Sequence, residues 1–190
     1  DREYKAGVDA VRFTIPLGSF SEVELIGASL GSSLNRSGAA GVLIRLNAGS
    51  ADVGFMGGRF HRDTVAGAFV TADIRGTGLR GEVAWTESGS VEDALRDRQR
   101  FWRGSFGLMR QVMPSVSVTV EMAWNGFGTG EASEYQAFLE ADRLLRGEVN
   151  ALARAYTGVS TSWLMHPLLT FNQALLLNWN DHSSLSISTM

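Results

Sequence analysis

Charged side chains recur at alternate positions in this sequence: Arg12, Glu22 and Glu24, Arg45, Asp73, Arg80 and Glu82, Arg103, Glu121 and Arg154, with Arg59 a further candidate. Most stand within a stretch where apolar residues repeat two apart; the segments around 50–61 and 149–165, which hold Arg59 and Arg154, fit that pattern less cleanly. A strand would send the charges to one face and the apolar residues to the other. Both signs are present. On a shared wet face their chemistry is ion pairing that stiffens the wall, and a charged lining that discriminates among solutes. Nucleophilic chemistry has one candidate, Asp181-His182-Ser183-Ser184, where acid, imidazole and hydroxyl cluster. A serine nucleophile needs a base within hydrogen-bond reach and an oxyanion hole, and neither is identifiable here. Asn180 and Asp181 supply turn chemistry instead. His61 and His166 stand at segment ends with no partner at metal-ligand spacing. Gly57-Gly58 and Gly76-Thr77-Gly78 do not open a helix after a strand. No catalytic, cofactor-binding or metal site is therefore expected.

The elements that must position these charges are strands. Residues 115–126 place Val116, Val118, Val120, Met122 and Trp124 on one face and Ser117, Thr119, Glu121 and Asn125 on the other. The pattern repeats in Val11-Phe13-Ile15-Leu17, Val42-Ile44-Leu46, Ala66-Ala68-Val70-Ala72-Ile74 and Leu79-Gly81-Val83-Trp85. It predicts about eleven strands, at 8–18, 20–31, 38–48, 50–61, 63–75, 78–88, 99–112, 114–126, 149–165, 167–180 and 184–190. Links after the first, third, fifth, seventh and ninth are tight. Links after the second, sixth and eighth are long, at 32–37, 88–98 and 127–148; the link at Arg62-Asp63 is a short exception. The long link 127–148 contains good helix formers before Gly147, so a short helix and a plain loop both remain open.

Composition narrows the class. The chain has 190 residues, 44% hydrophobic and 19% charged, with 22 Gly, 3 Pro, no Cys and net charge −3. Nothing in that balance suggests a nucleic-acid partner. No run of apolar residues is long enough for a transmembrane helix, which leaves membrane strands untouched, because about ten tilted strand residues suffice to cross. All 3 prolines fall at the tight-turn end, and all 5 tryptophans lie near strand ends. Trp85, Trp102, Trp124 and Trp179 fall at the long-link end and Trp163 at the other. An indole wants an apolar body and a wet N–H, as a membrane interface provides.

The alternating segments, the tryptophan positions and the asymmetry of the links resemble the outer-membrane β-barrel proteins of Gram-negative bacteria, porin-like in the broad sense. The resemblance covers nearly the whole chain and carries no motif that assigns a subfamily. It implies an all-β, antiparallel, up-and-down transmembrane β-barrel forming one domain over 1–190, with 127–148 as a long outer loop. The charged residues from Arg12 to Arg154 would line the lumen, and the five tryptophans would lie at the membrane interfaces. Family members usually have both termini in the periplasm and end in an aromatic residue. On that pattern a strand is expected ahead of residue 8, and the visible strands belong to a barrel of 12 or more. The implied role is a passive channel or the membrane-embedded part of a transport or surface assembly in the bacterial outer membrane. Its partners would be the lipid bilayer, small polar solutes or ions, and proteins of that assembly. Two other classes stand beside it: an outer-membrane lipid hydrolase using His182 and Ser184, and a soluble lipocalin-like or sandwich protein whose apolar face is its core.

Overall fold

The computed structural model describes residues 9–29, 38–89, 99–145, 147–149 and 151–190. Eleven strands form one sheet in which each is bonded to its neighbours in sequence, all antiparallel. They are β1 (Asp9–Pro16), β2 (Glu22–Ser29), β3 (Gly38–Ala48), β4 (Ala51–Phe60), β5 (Asp63–Ile74), β6 (Thr77–Glu87), β7 (Arg100–Met113), β8 (Val116–Asn125), β9 (Ala155–His166), β10 (Leu169–Asn178) and β11 (Ser184–Thr189). Among the described residues β1 pairs only with β2 and β11 only with β10, so the sheet is not closed. The expected strand ahead of residue 8 and the expected link 32–37 lie outside the described residues, as does most of the link 88–98.

Register explains why alternation was so regular along the chain. Cross-strand partners run Ile15, Val23, Ile44, Phe55, Ala68, Val83, Gly104, Trp124 and Ala155, one apolar row crossing nine strands. Beside it, on the opposite face, run Glu22, Arg45, Gly54, Phe69, Glu82 and Ser105. A slip of one residue anywhere would exchange the two faces. The β5–β6 link shows how a turn fixes that register. Arg75 and Gly76 both have positive φ (54° and 76°), as a two-residue type I′ hairpin requires, and Asp73 Oδ1 accepts from the Gly76 amide at 3.0 Å.

The ninth strand begins at Ala155, later than the expected 149. Val149 and residues 151–154 are drawn into the preceding link instead. Val149 is buried there, Asn125 Nδ2 donates to the Ala151 carbonyl at 2.8 Å, and Thr129 pairs with Ala153 in an isolated parallel bridge. That link carries a 3-10 turn (Ala132–Glu134) and two short helices, α1 (Tyr135–Leu139) and α2 (Asp142–Leu145).

Candidate functional site

Polar side chains gather on one face of the sheet and pair across strands. Arg12 Nη2 meets Glu24 Oε2 at 2.7 Å, and Arg45 Nη1 donates to Glu22 Oε1 at 2.5 Å. Arg80 pairs with Glu121 across the intervening strand at Gly107. A Cβ at Gly107 would meet the Arg80 guanidinium Nε at 2.9 Å, so glycine there clears the path for this pair. Glu82 Oε1 accepts from the Ser105 hydroxyl at 3.1 Å. Asp73 is on the same face but is engaged by its own turn.

Two expected charges fall elsewhere. Arg154 precedes β9, and its Nε donates to the Gly128 carbonyl at 3.0 Å, tying the link down rather than lining the sheet. Arg59 lies opposite Ala40 and Thr64, which places it on the apolar face near the long-link end.

The link between β8 and β9 folds over the polar face as a strap. Its core is Phe101, Phe127, Phe138, Ala141 and Val149. Phe101 comes from the polar face of β7, so the sheet itself supplies one wall of this cluster. Phe127 contacts Phe101 and Phe138 at ring-centroid distances of 5.4 and 5.7 Å. Arg143 lies over both the Phe101 and Phe127 rings, at 5.3 and 5.7 Å. Its Nη1 reaches Asp63 Oδ2 at 2.5 Å and Glu148 Oε2 at 3.0 Å, and its Nη2 donates to Ser88 Oγ at 2.7 Å. Asp63 also accepts from the Gly89 amide at 3.1 Å. The clasp thus fastens the strap to the long-link ends of β5 and β6.

The other end of the strap is tied to β10. Asn178 Nδ2 donates to the Tyr135 hydroxyl at 3.1 Å, and Tyr135 in turn hydrogen-bonds Asp181. The Ser183 hydroxyl and amide hold the Asp181 carboxyl below its usual 3.8; loss of solvent pushes the other way, and Tyr135 adds a smaller downward pull. Burial pushes the Tyr135 hydroxyl above its usual 10.0, with Asp181 adding to that and Asn178 opposing it. A depressed carboxyl contributes to the tie above its unfolded pKa and stops contributing as pH falls through the folded one. The Tyr135 ring resonances should therefore stay constant from about pH 7 to about pH 4 and shift only below that. Asp181→Asn should remove the shift; an unchanged acid-side shift in that variant would place its origin elsewhere.

The opposite face is apolar and open. Phe13, Trp102 and Met122 are 64%, 57% and 56% exposed. Trp85 and Trp102 are direct cross-strand partners, and Trp124 follows opposite Gly104. Trp179, just past β10, donates its indole N–H to Thr157 Oγ1 at 2.8 Å. These four tryptophans make a belt at the long-link end, and Trp163 sits at the other end opposite Val116 and Phe171.

One strand breaks the division of faces. Ser184 and Ser186 lie opposite Leu177 and Leu175, so the serines of β11 join the apolar face while Leu185 and Ile187 turn to the polar one. Gln173 locks this register, donating to Ser186 Oγ at 2.8 Å and accepting from Ser188 Oγ at 2.5 Å. His182 has φ 58° and lies in the turn ahead of β11, outside strand geometry. Among the described residues no hydrogen bond joins it to Ser184.

Sequence reasoning missed Asp63, Ser88, Tyr135, Arg143 and Glu148, the residues that fasten the strap. No family model, curated protein or solved structure matches the chain.

Proposed function

We propose that the chain forms the wall of a transmembrane β-barrel in a Gram-negative outer membrane, acting as a passive channel or as the membrane-embedded part of a transport or surface assembly. The observation that carries this reading is the division of faces. A water-soluble domain of this length buries about 70% of the surface its unfolded chain exposes. Here the buried apolar residues among those described are Phe101, Phe127, Phe138, Ala141, Val149 and Ala153, gathered around the strap. The broad apolar face has no protein layer over it among the described residues, and a patch of that size marks contact with lipid or another protein.

The tryptophans support lipid. Val116, the partner of Trp163, and Trp124 are roughly eight strand residues apart, about 26 Å of extended chain. Tilted by about 40° as in membrane barrels, that length rises about 20 Å, which lies within an apolar band about 25 Å tall. On the polar face, paired charges keep a hydrated wall without leaving isolated ions. A solute would diffuse along that wall, and the strap would narrow its outer end.

Three measurements test the reading. Protein incorporated into lipid vesicles should float with them and resist carbonate extraction, and planar bilayers containing it should show stepwise conductance. Monodisperse behaviour without detergent would overturn the membrane assignment. Insertion without conductance would overturn the channel and leave the assembly role.

A further inference from the structure

Three cavities follow one another along the polar face of β4–β8. The first, about 460 Å³, is lined by Arg80, Glu82, Ser105 and Glu121. The second, about 360 Å³, shares Glu82 and Ser105 with it and adds Arg103 and Asn125. The third, about 330 Å³, lies against the strap, shares Arg103 and Glu148 with the second, and adds Thr86, Asp63 and Arg143. Arg103 therefore stands at the junction between the middle cavity and the outer one.

The other guanidiniums on this path are committed. Arg80 is paired with Glu121, and Arg143 with Asp63 and Glu148. Arg103 forms no ion pair among the described residues. Its Nη1 donates to the Glu148 carbonyl at 3.0 Å, its guanidinium lies 5.6 Å from the Phe101 ring centre, and its Nε is buried without a partner. Thr86 is 1% exposed, and its hydroxyl also lacks a partner. Both residues line the outer cavity. A buried donor left unmade is costly, and a charged one more so. Arg103 Nε can only donate and the Thr86 hydroxyl can donate as well, so a ligand made of acceptors entering from the outer cavity would satisfy both. Glu82, the carboxylate that would repel such a ligand, lines the middle cavity and not the outer one. The outer carboxylates, Asp63 and Glu148, are held by Arg143.

We infer that Arg103 Nε and Thr86 Oγ1 form a seat for a small oxyanion, a carboxylate or a phosphate, beneath the strap. Arg103 is then the specificity-determining residue of the path. The selectivity role rests on the channel reading; the seat does not.

The test uses the full chain in detergent, titrated calorimetrically with inorganic phosphate and with succinate, together with block of its potassium chloride conductance by the same ions. Saturable binding of phosphate alone, of succinate alone or of both supports the seat and identifies its source. Arg103→Gln should weaken binding by about 10-fold or more, the share of a charge-assisted hydrogen bond. Arg103→Lys should retain part of it, and Thr86→Val should weaken it several-fold. If Arg103→Gln does not fold, the other two variants decide. Binding without conductance removes the channel and keeps the seat. No saturable binding of either ion to the wild type, or equal binding by the folded variants, overturns the seat whatever the conductance.

Discussion

Arg143→Ala should release the strap. The Arg143 and Asp63 side chains are 11% and 9% exposed, and removing one member of a buried pair strands the other, at about 3–5 kcal/mol. The variant also loses the guanidinium that lies over the Phe101 and Phe127 rings. The strands are bonded to one another independently of this clasp, so the loss should appear as local opening. Amide exchange in α1 and α2 should accelerate by roughly 10²–10³-fold while the amides of β6–β8 keep their protection. Charge reversal supplies the control: Arg143→Asp with Asp63→Arg should recover part of the protection if the pair is what holds the strap. Unchanged exchange in Arg143→Ala would show that the aromatic cluster alone is sufficient.

Val120→Arg should cost about 2–4 kcal/mol of unfolding free energy in lipid vesicles, because Val120 falls midway between Trp124 and the Trp163 row. It also sits in an unbroken row with Leu79, Leu108, Val159 and Leu175. Trp124→Arg, at the belt, should cost only about 0–1 kcal/mol in charge burial, with the lost indole contacts added. Thr119→Arg, next along the chain but on the polar face, should be nearly neutral. Urea unfolding from vesicles distinguishes the three. Equal costs at the two depths would argue against a bilayer on this face.

Much of this architecture was legible because alternation is a local property. A strand writes its two faces into adjacent residues, and the hairpin links lie within the same window. The pairing of charges was legible as a face but not as a set of partners. Arg80 reaches Glu121 across a strand, through a space that depends on Gly107, and no spacing rule reports that. The strap was illegible for a plainer reason. Asp63 and Arg143 are 80 residues apart, and nothing local in either announces the other. A signal did exist: Val65, Phe101 and Met56 are apolar residues at polar-face positions, and that misfit marks where a second layer covers the sheet. The same logic explains the late start of β9, since Val149 is spent on the strap core. The reversal at β11 has a different cause. Ser184-Leu185-Ser186-Ile187 alternates as cleanly as any segment, but alternation says which residues share a face and not which face it is. The turn at residues 179–183 and the grip of Gln173 decide that.

Since neighbours alternate in direction, the first and last strands of this meander point the same way. Their two outer borders, unpaired among the described residues, could meet each other only in a parallel seam. A ring kept in one style throughout needs an odd number of additional strands between them, whichever molecule supplies these. A lone bridging strand would run counter to both. On one flank it would match the 8-residue border of β1 and on the other the 6-residue border of β11. Beside the second border it would meet hydroxyls on the side where most of the wall offers hydrocarbon, so this seam would be one of the less oily stretches of the circumference.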